Sequence, residues 1–96
     1  MAHFGLLKTP AEISEELAER LRLLRKDAKY TQAELAERSG VSLGSLKRFE
    51  NTGKISLEAL LKLAKVLHRE EDFDVIFSTN SELKDIENLF SSTLRS

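Results

Sequence analysis

The 96-residue sequence contains no cysteine, one proline and only four glycines. Without cysteine there can be neither disulfide staples nor thiolate chemistry. The scarcity of proline and glycine argues against a turn-rich β protein. No apolar run approaches the ~18 residues of a membrane-spanning helix. The opening "MAHFGLLK" is too short and too weakly apolar for a signal peptide, so the expected compartment is the cytoplasm. There is no glycine-rich phosphate loop, because Arg48 stands where the glycine preceding Gly53–Lys54 would have to be. His3 and His68 lack ligand spacing, so no metal is expected. "SELK", residues 81–84, matches a serine-lysine pair of some acyl enzymes but lacks the accompanying motifs. No catalytic residue and no cofactor is expected.

What remains is a globular composition with an uneven charge distribution. Apolar residues make up 41% and charged residues 32% of the chain, enough for one small domain with a single core. Residues 1–19 carry one Lys and four Glu, a net −3. Residues 20–69 carry twelve Lys and Arg against five Asp and Glu, a net +7. Residues 70–96 carry two cations and seven acids, a net −5. A basic middle between acidic ends fits a polyanionic partner, although solvated helical faces also fluctuate in this way.

The local signals are all helical. Thr9, Pro10 and Glu12 fit the N-cap, N1 and N3 positions of a capping box. Ile13, Leu17, Leu21, Leu24 and Ala28 follow at helical spacing and predict one buried stripe on a helix from about Pro10 to Ala28. Thr31 and Glu34 repeat the capping box, and Gly40 stops a short helix over 32–39. Ser42 caps the next helix, which Gly53 ends near Asn51. Ser56 caps a fourth, with Leu57, Leu60, Leu61, Ala64 and Leu67 as its stripe. "EDFDVIF" predicts a short fifth helix with Phe73, Ile76 and Phe77 inward. The fold class is therefore all-α, a bundle of about five helices over 9–77. The extension over 78–96 carries a further amphipathic pattern through Leu83, Ile86 and Phe90.

The informative unit is 32–51. Two short helices joined by a glycine turn pack across each other only if small or apolar residues stand at the crossing. Ala36 allows the approach, Gly40 makes the turn, and Val41, Leu46 and Phe49 seal the junction. That is the packing requirement of a helix-turn-helix whose second helix enters the DNA major groove. At about 100° per residue, 44, 47, 48 and 51 lie opposite 46 and 49, while Leu43 lies between the two faces.

In "TQAELAE", "SGVS", "LKRFENTG" and "SLEALLKLAKVL", in that order, the chain resembles the phage-repressor class of helix-turn-helix domains, the Cro or XRE type, over residues 17–77. The resemblance implies a lambda-repressor-like bundle and double-stranded DNA as partner. It implies base-reading positions at Leu43, Gly44, Lys47 and Arg48, and phosphate-binding positions at Gln32, Ser42, Asn51 and Lys54. Arg48 is suited to a bidentate bond with guanine, Lys47 to guanine or phosphate, and Leu43 to a thymine methyl. Gly44 and Leu43 stand where many members carry polar readers, so direct readout per monomer is sparse and DNA shape carries more of the specificity.

The resemblance implies a transcriptional regulator, most simply a repressor, acting as a homodimer on a two-fold operator with 73–96 supplying part of the dimer surface. Two alternatives stand beside it. "ALLKLAKVL" and "DFDVIF" with a short tail are similar to the DNA-binding antitoxins that accompany Hip-type kinase toxins, which would add a toxin protein as partner. The other alternative is a protein-interaction module that no longer binds DNA.

Overall fold

The computed structural model describes residues 8–81 and, beyond them, 84, 85, 87 and 88. Four α-helices follow one another: α1 (Pro10–Asp27), α2 (Gln32–Ser39), α3 (Leu43–Thr52) and α4 (Leu57–Val66). A 3-10 turn over Glu70–Phe73 closes the series. No strand occurs among the described residues, so the all-α class holds.

Each helix begins where its side chains can satisfy the free N–H groups of a first turn. Thr9 and Thr31 accept from the amides of Glu12 and Glu34 while those glutamates accept from the amides of Thr9 and Thr31, at 2.9–3.1 Å. These bonds hold both carboxyls below the usual carboxylate range, the backbone N–H being the larger cause and the threonine hydroxyl the next. Ser42 and Ser56 cap α3 and α4 through the amides of Ser45 and Ala59. Gly40 (φ 76) and Gly53 (φ 80) end α2 and α3 in left-handed backbone. At Gly53 a side chain is excluded twice over, since a Cβ would lie 2.8 Å from the carbonyl carbon of Ser14.

The core forms where α1 crosses α3, α3 crosses α2, and α2 meets α4. Leu35, Leu46, Phe49 and Leu63 are its fully buried large side chains, with Ala18, Leu21, Ala36 and Val41 around them.

The structure corrects three expectations. The buried face of α1 runs through Ala18, Leu21 and Arg25, so Ile13 and Leu17 are exposed, as is Ala28, the C-cap. In α4, Leu57 and Leu61 are exposed and Leu63 is central. The fifth helix is only the 3-10 turn, and Ile76 and Phe77 face outward. No side-chain cap starts a longer helix here, and the left-handed backbone of Phe77 (φ 60) interrupts helical geometry a few residues later. Helical backbone resumes at residues 80 and 81 and at 84, 85, 87 and 88, whereas Leu83, Ile86 and Phe90 lie outside the described residues.

Candidate nucleic-acid interface

Helix α3 is two-faced. Leu46 and Phe49 are buried against α1 and α2, and Val41 seals the turn that precedes them. On the opposite side Gly44, Lys47, Arg48 and Asn51 are exposed, and Leu43 is at 37%, at the edge between the two faces. Lys47, Arg48 and Lys54 have no ion pair among the described residues, as is also true of Arg20, Lys26, Lys29, Arg38 and Lys65, whereas Lys8, Arg22, Arg25, Lys62 and Arg69 are each paired with a carboxylate. A row of unpaired cations on a rigid helix can meet an anion without first breaking an internal bond.

Gly44 differs in kind from the turn glycines. Its backbone is ordinary helix, and a Cβ added there would have nothing within 4 Å. Nothing inside the protein requires glycine at this position, although glycine costs up to ~1 kcal/mol in a helix relative to alanine. Its effect is to let the helix backbone approach whatever lies outside.

Two of the sequence-derived positions are already engaged. The Gln32 side chain donates to Glu50 Oε1 at 3.0 Å, which leaves its amide fixed on the protein rather than free for a phosphate. The backbone N–H of Gln32 still opens α2, where an anion is favoured. The Ser42 hydroxyl accepts from the Ser45 amide at 3.1 Å and donates to Ser45 Oγ at 2.8 Å, so in the free chain it serves as a cap. Near Lys54 the chain is also fixed, its amide donating to Thr52 Oγ1 at 3.2 Å. The eight positions thus fall into one exposed set on α3, two engaged groups at the starts of α2 and α3, and Lys54 beyond the C-cap.

The pair that holds this face in place was not foreseen. Arg25 of α1 donates from Nε to Glu50 Oε2 at 2.8 Å and from Nη2 to Oε1 at 3.0 Å, a bidentate bridge. Its Nη1 donates to the Tyr30 carbonyl at 2.9 Å. The two side chains are 10% and 3% exposed. The Arg25–Glu50 pair therefore ties α1, the turn before α2, the first residue of α2 and the end of α3 together. A signal was present in the spacing: Arg25 lies four residues after Leu21, and Glu50 four after Leu46, each on a buried stripe. An arginine and a glutamate on facing apolar stripes have to find one another, since neither can be buried alone.

No helix among the described residues is long and apolar enough to cross a membrane. No curated protein matches the chain. A family model described as helix-turn-helix matches residues 21–73, which span the C-terminal part of α1, α2, the glycine turn, α3, α4 and the 3-10 turn. The chain belongs to this helix-turn-helix family, of the XRE, Cro-like type, whose members are DNA-binding regulators.

Proposed function

We propose that the chain is a sequence-specific transcriptional repressor that lays α3 in the major groove and binds a two-fold operator as a homodimer. The observation that carries this reading is the exposed face of Gly44, Lys47, Arg48 and Asn51, with its cations unpaired, directly behind the buried Leu46 and Phe49. Arg48 donates to guanine O6 and N7, a contact worth ~1–3 kcal/mol of discrimination. Lys47 reads a second guanine or meets a phosphate. Leu43 touches a thymine methyl, and Gly44 admits the base edges to the helix backbone. Asn51, Lys54 and the start of α2 hold phosphates, Gln32 through its backbone amide and Ser42 at the cap of α3. Residues 9–77 form the DNA-binding unit, and 78–96 form an extension for contact with a second protein chain.

The test is a gel-shift series on genomic fragments with competitor DNA. Binding is expected to weaken steeply between ~50 and ~200 mM salt. Binding that is absent, or indifferent to salt, would overturn the reading. In Arg48→Ala specific binding is expected to fall further than nonspecific binding, whereas an equal fall would assign Arg48 to phosphate alone.

A second reading is favoured by the apolar residues Val75, Ile76 and Phe77, which are exposed close after the family match. In it the chain is an antitoxin that represses its own operon and neutralises a Hip-type kinase toxin. A kinase-like gene beside this one, and a stable complex between the two products, would establish it.

A further inference from the structure

Helix α1 carries two apolar faces, and the fold buries one. Ala18, Leu21 and Arg25 turn toward the core and α3. Leu17, Leu23 and Leu24 lie roughly 100° or more round the helix from Ala18. With Leu60 of α4 and with Val75 and Ile76 they line a groove of about 680 Å³ between α1 and α4. Much of this flank stays open to water: Ile13 is 43% exposed, Leu17 41% and Leu23 50%. A contiguous apolar strip on a folded chain calls for something that covers it.

An ion pair at the start of the described chain marks the side on which the N-terminal residues arrive. Lys8 stands two residues ahead of Pro10, where α1 begins, yet its Nζ donates to Glu16 Oε2 at 2.7 Å. Glu16 is about 9 Å up the helix from Pro10. Around the axis it lies within ~20° of Leu23 and Asp27, both groove residues, and roughly 160° from Ala18. The bond therefore sets the residues just ahead of Lys8 beside the flank that carries Ile13, not on the core side. Those residues, 1–7, include Phe4, Leu6 and Leu7 and no Lys, Arg, Asp or Glu. Extended, the chain from Lys8 back to Phe4 spans up to ~14 Å, enough for Phe4 to come level with Leu17, about 10 Å along α1. The groove asks for no charged occupant, since Arg69 and Asp72 on its rim pair with each other at 3.0 Å and Arg20 and Asp27 add one charge of each sign. None of the described residues beyond Ile76 lines it, and Lys84, Asp85, Glu87 and Asn88 are exposed.

We propose that residues 1–7 fold back over α1 of their own chain as a strap, pinned by the Lys8–Glu16 bridge, with Leu6 and Leu7 over Ile13 and Phe4 in the groove beside Leu17. The strap covers the apolar flank that the core leaves bare. It goes beyond the DNA-binding reading and does not depend on it. Its flank is turned away from α3, so Lys47 and Arg48 stay open with the strap in place.

Paramagnetic relaxation measured on the full chain tests the assignment. The sequence has no cysteine, so Ala2→Cys gives a single site for a nitroxide. The amides of Leu17, Leu23, Leu24 and Ile76 are expected to lose most of their intensity, and far more than those of Lys47 and Arg48. Adding Phe4→Ser is expected to restore most of the intensity at Leu24 and Ile76, while the far-UV circular dichroism stays that of the wild type. Losses confined to the neighbourhood of Pro10, with Leu24 and Ile76 untouched, would overturn the proposal, as would losses that Phe4→Ser leaves unchanged. A second sample carries the nitroxide on one population of chains and the isotope label on another. There the groove losses are expected to vanish, and losses that persist would assign the groove to a second copy instead. A nitroxide at Ser91→Cys that quenches the groove when one at Ala2→Cys does not would assign it to the C-terminal extension, and would equally overturn the strap. Duplex DNA binding is expected to survive Phe4→Ser unchanged, so failure of the strap and failure of the DNA-binding reading are told apart.

Discussion

The α3 face and the α1–α4 groove are both open to solvent, but they are open for different reasons. The α3 face presents Lys47, Arg48 and Asn51, groups that water solvates fully, over a foundation of Leu46, Phe49 and the Arg25–Glu50 bridge. The groove presents Leu17, Leu23, Val75 and Ile76, whose exposure is disfavoured by ~25 cal/mol for every Å² left in water. A polar face without a partner is an ordinary surface, and the proposal that this one meets DNA rests on the buried residues and the bridge beneath it and on its place in the helix-turn-helix. An apolar face without a partner is unusual in itself.

The largest expected effect strikes the foundation of the first surface. Glu50→Ala leaves Arg25 buried without its carboxylate and frees Gln32, so urea unfolding is expected to show a loss of ~3–5 kcal/mol. A loss within ~0.5 kcal/mol would mean that the bridge does not hold the helices together.

The two faces of α1 separate next. Leu21→Ala, on the core side, is expected to cost ~2–5 kcal/mol. Leu17→Ala, on the groove side, is expected to cost less than ~1 kcal/mol when measured under conditions where the chain is monomeric. Equal losses would show that the groove belongs to the core.

Gly44→Ala sharpens the comparison in the opposite direction. With open space around the new methyl group, the helix is expected to gain up to ~1 kcal/mol in unfolding experiments. Duplex DNA binding is expected to weaken in the same variant, because the backbone can no longer approach as closely. A stabilised variant with unchanged binding would leave Gly44 without a role in contact.

The smallest effect belongs to neither surface. The Glu12 and Glu34 carboxyls are held below their ordinary value in the folded chain. Their contribution is therefore fully present above the unfolded carboxylate value and is lost as the pH falls through the lowered folded values. Both groups are exposed, so the expected change is a small drop in melting temperature on acidification, reduced in the Glu12→Gln, Glu34→Gln double variant.

Helix ends were legible in the sequence because their chemistry is local. Thr9 with Glu12, Thr31 with Glu34, the serine caps at 42 and 56, and the glycine stops at 40 and 53 all lie where their spacing places them. The two faces of α3 were legible for the same reason, since Leu46 and Phe49 fix the buried side. Which face of α1 is buried was not legible. Ile13, Leu17 and Leu24 make a stronger apolar pattern than Ala18 and Arg25, yet the fold buries the second set. Arg25 can be buried only because Glu50 meets it from 25 residues away, and periodicity within one helix cannot register that partner. The same carboxylate takes the Gln32 amide that position alone assigns to phosphate. The outward turn at Phe77 was hidden too, since an aromatic residue in an apolar run reads as core until its backbone is known.

In the proposed complex the chain meets DNA through α3, and the groove stays clear of the duplex. Backbone amide shifts of the labelled protein, titrated with duplex DNA, test it most directly. The largest changes are expected at Gln32 and across 42–51, with the amides of Leu23, Val75 and Ile76 nearly unmoved. Changes centred on the groove, with α3 silent, would contradict it.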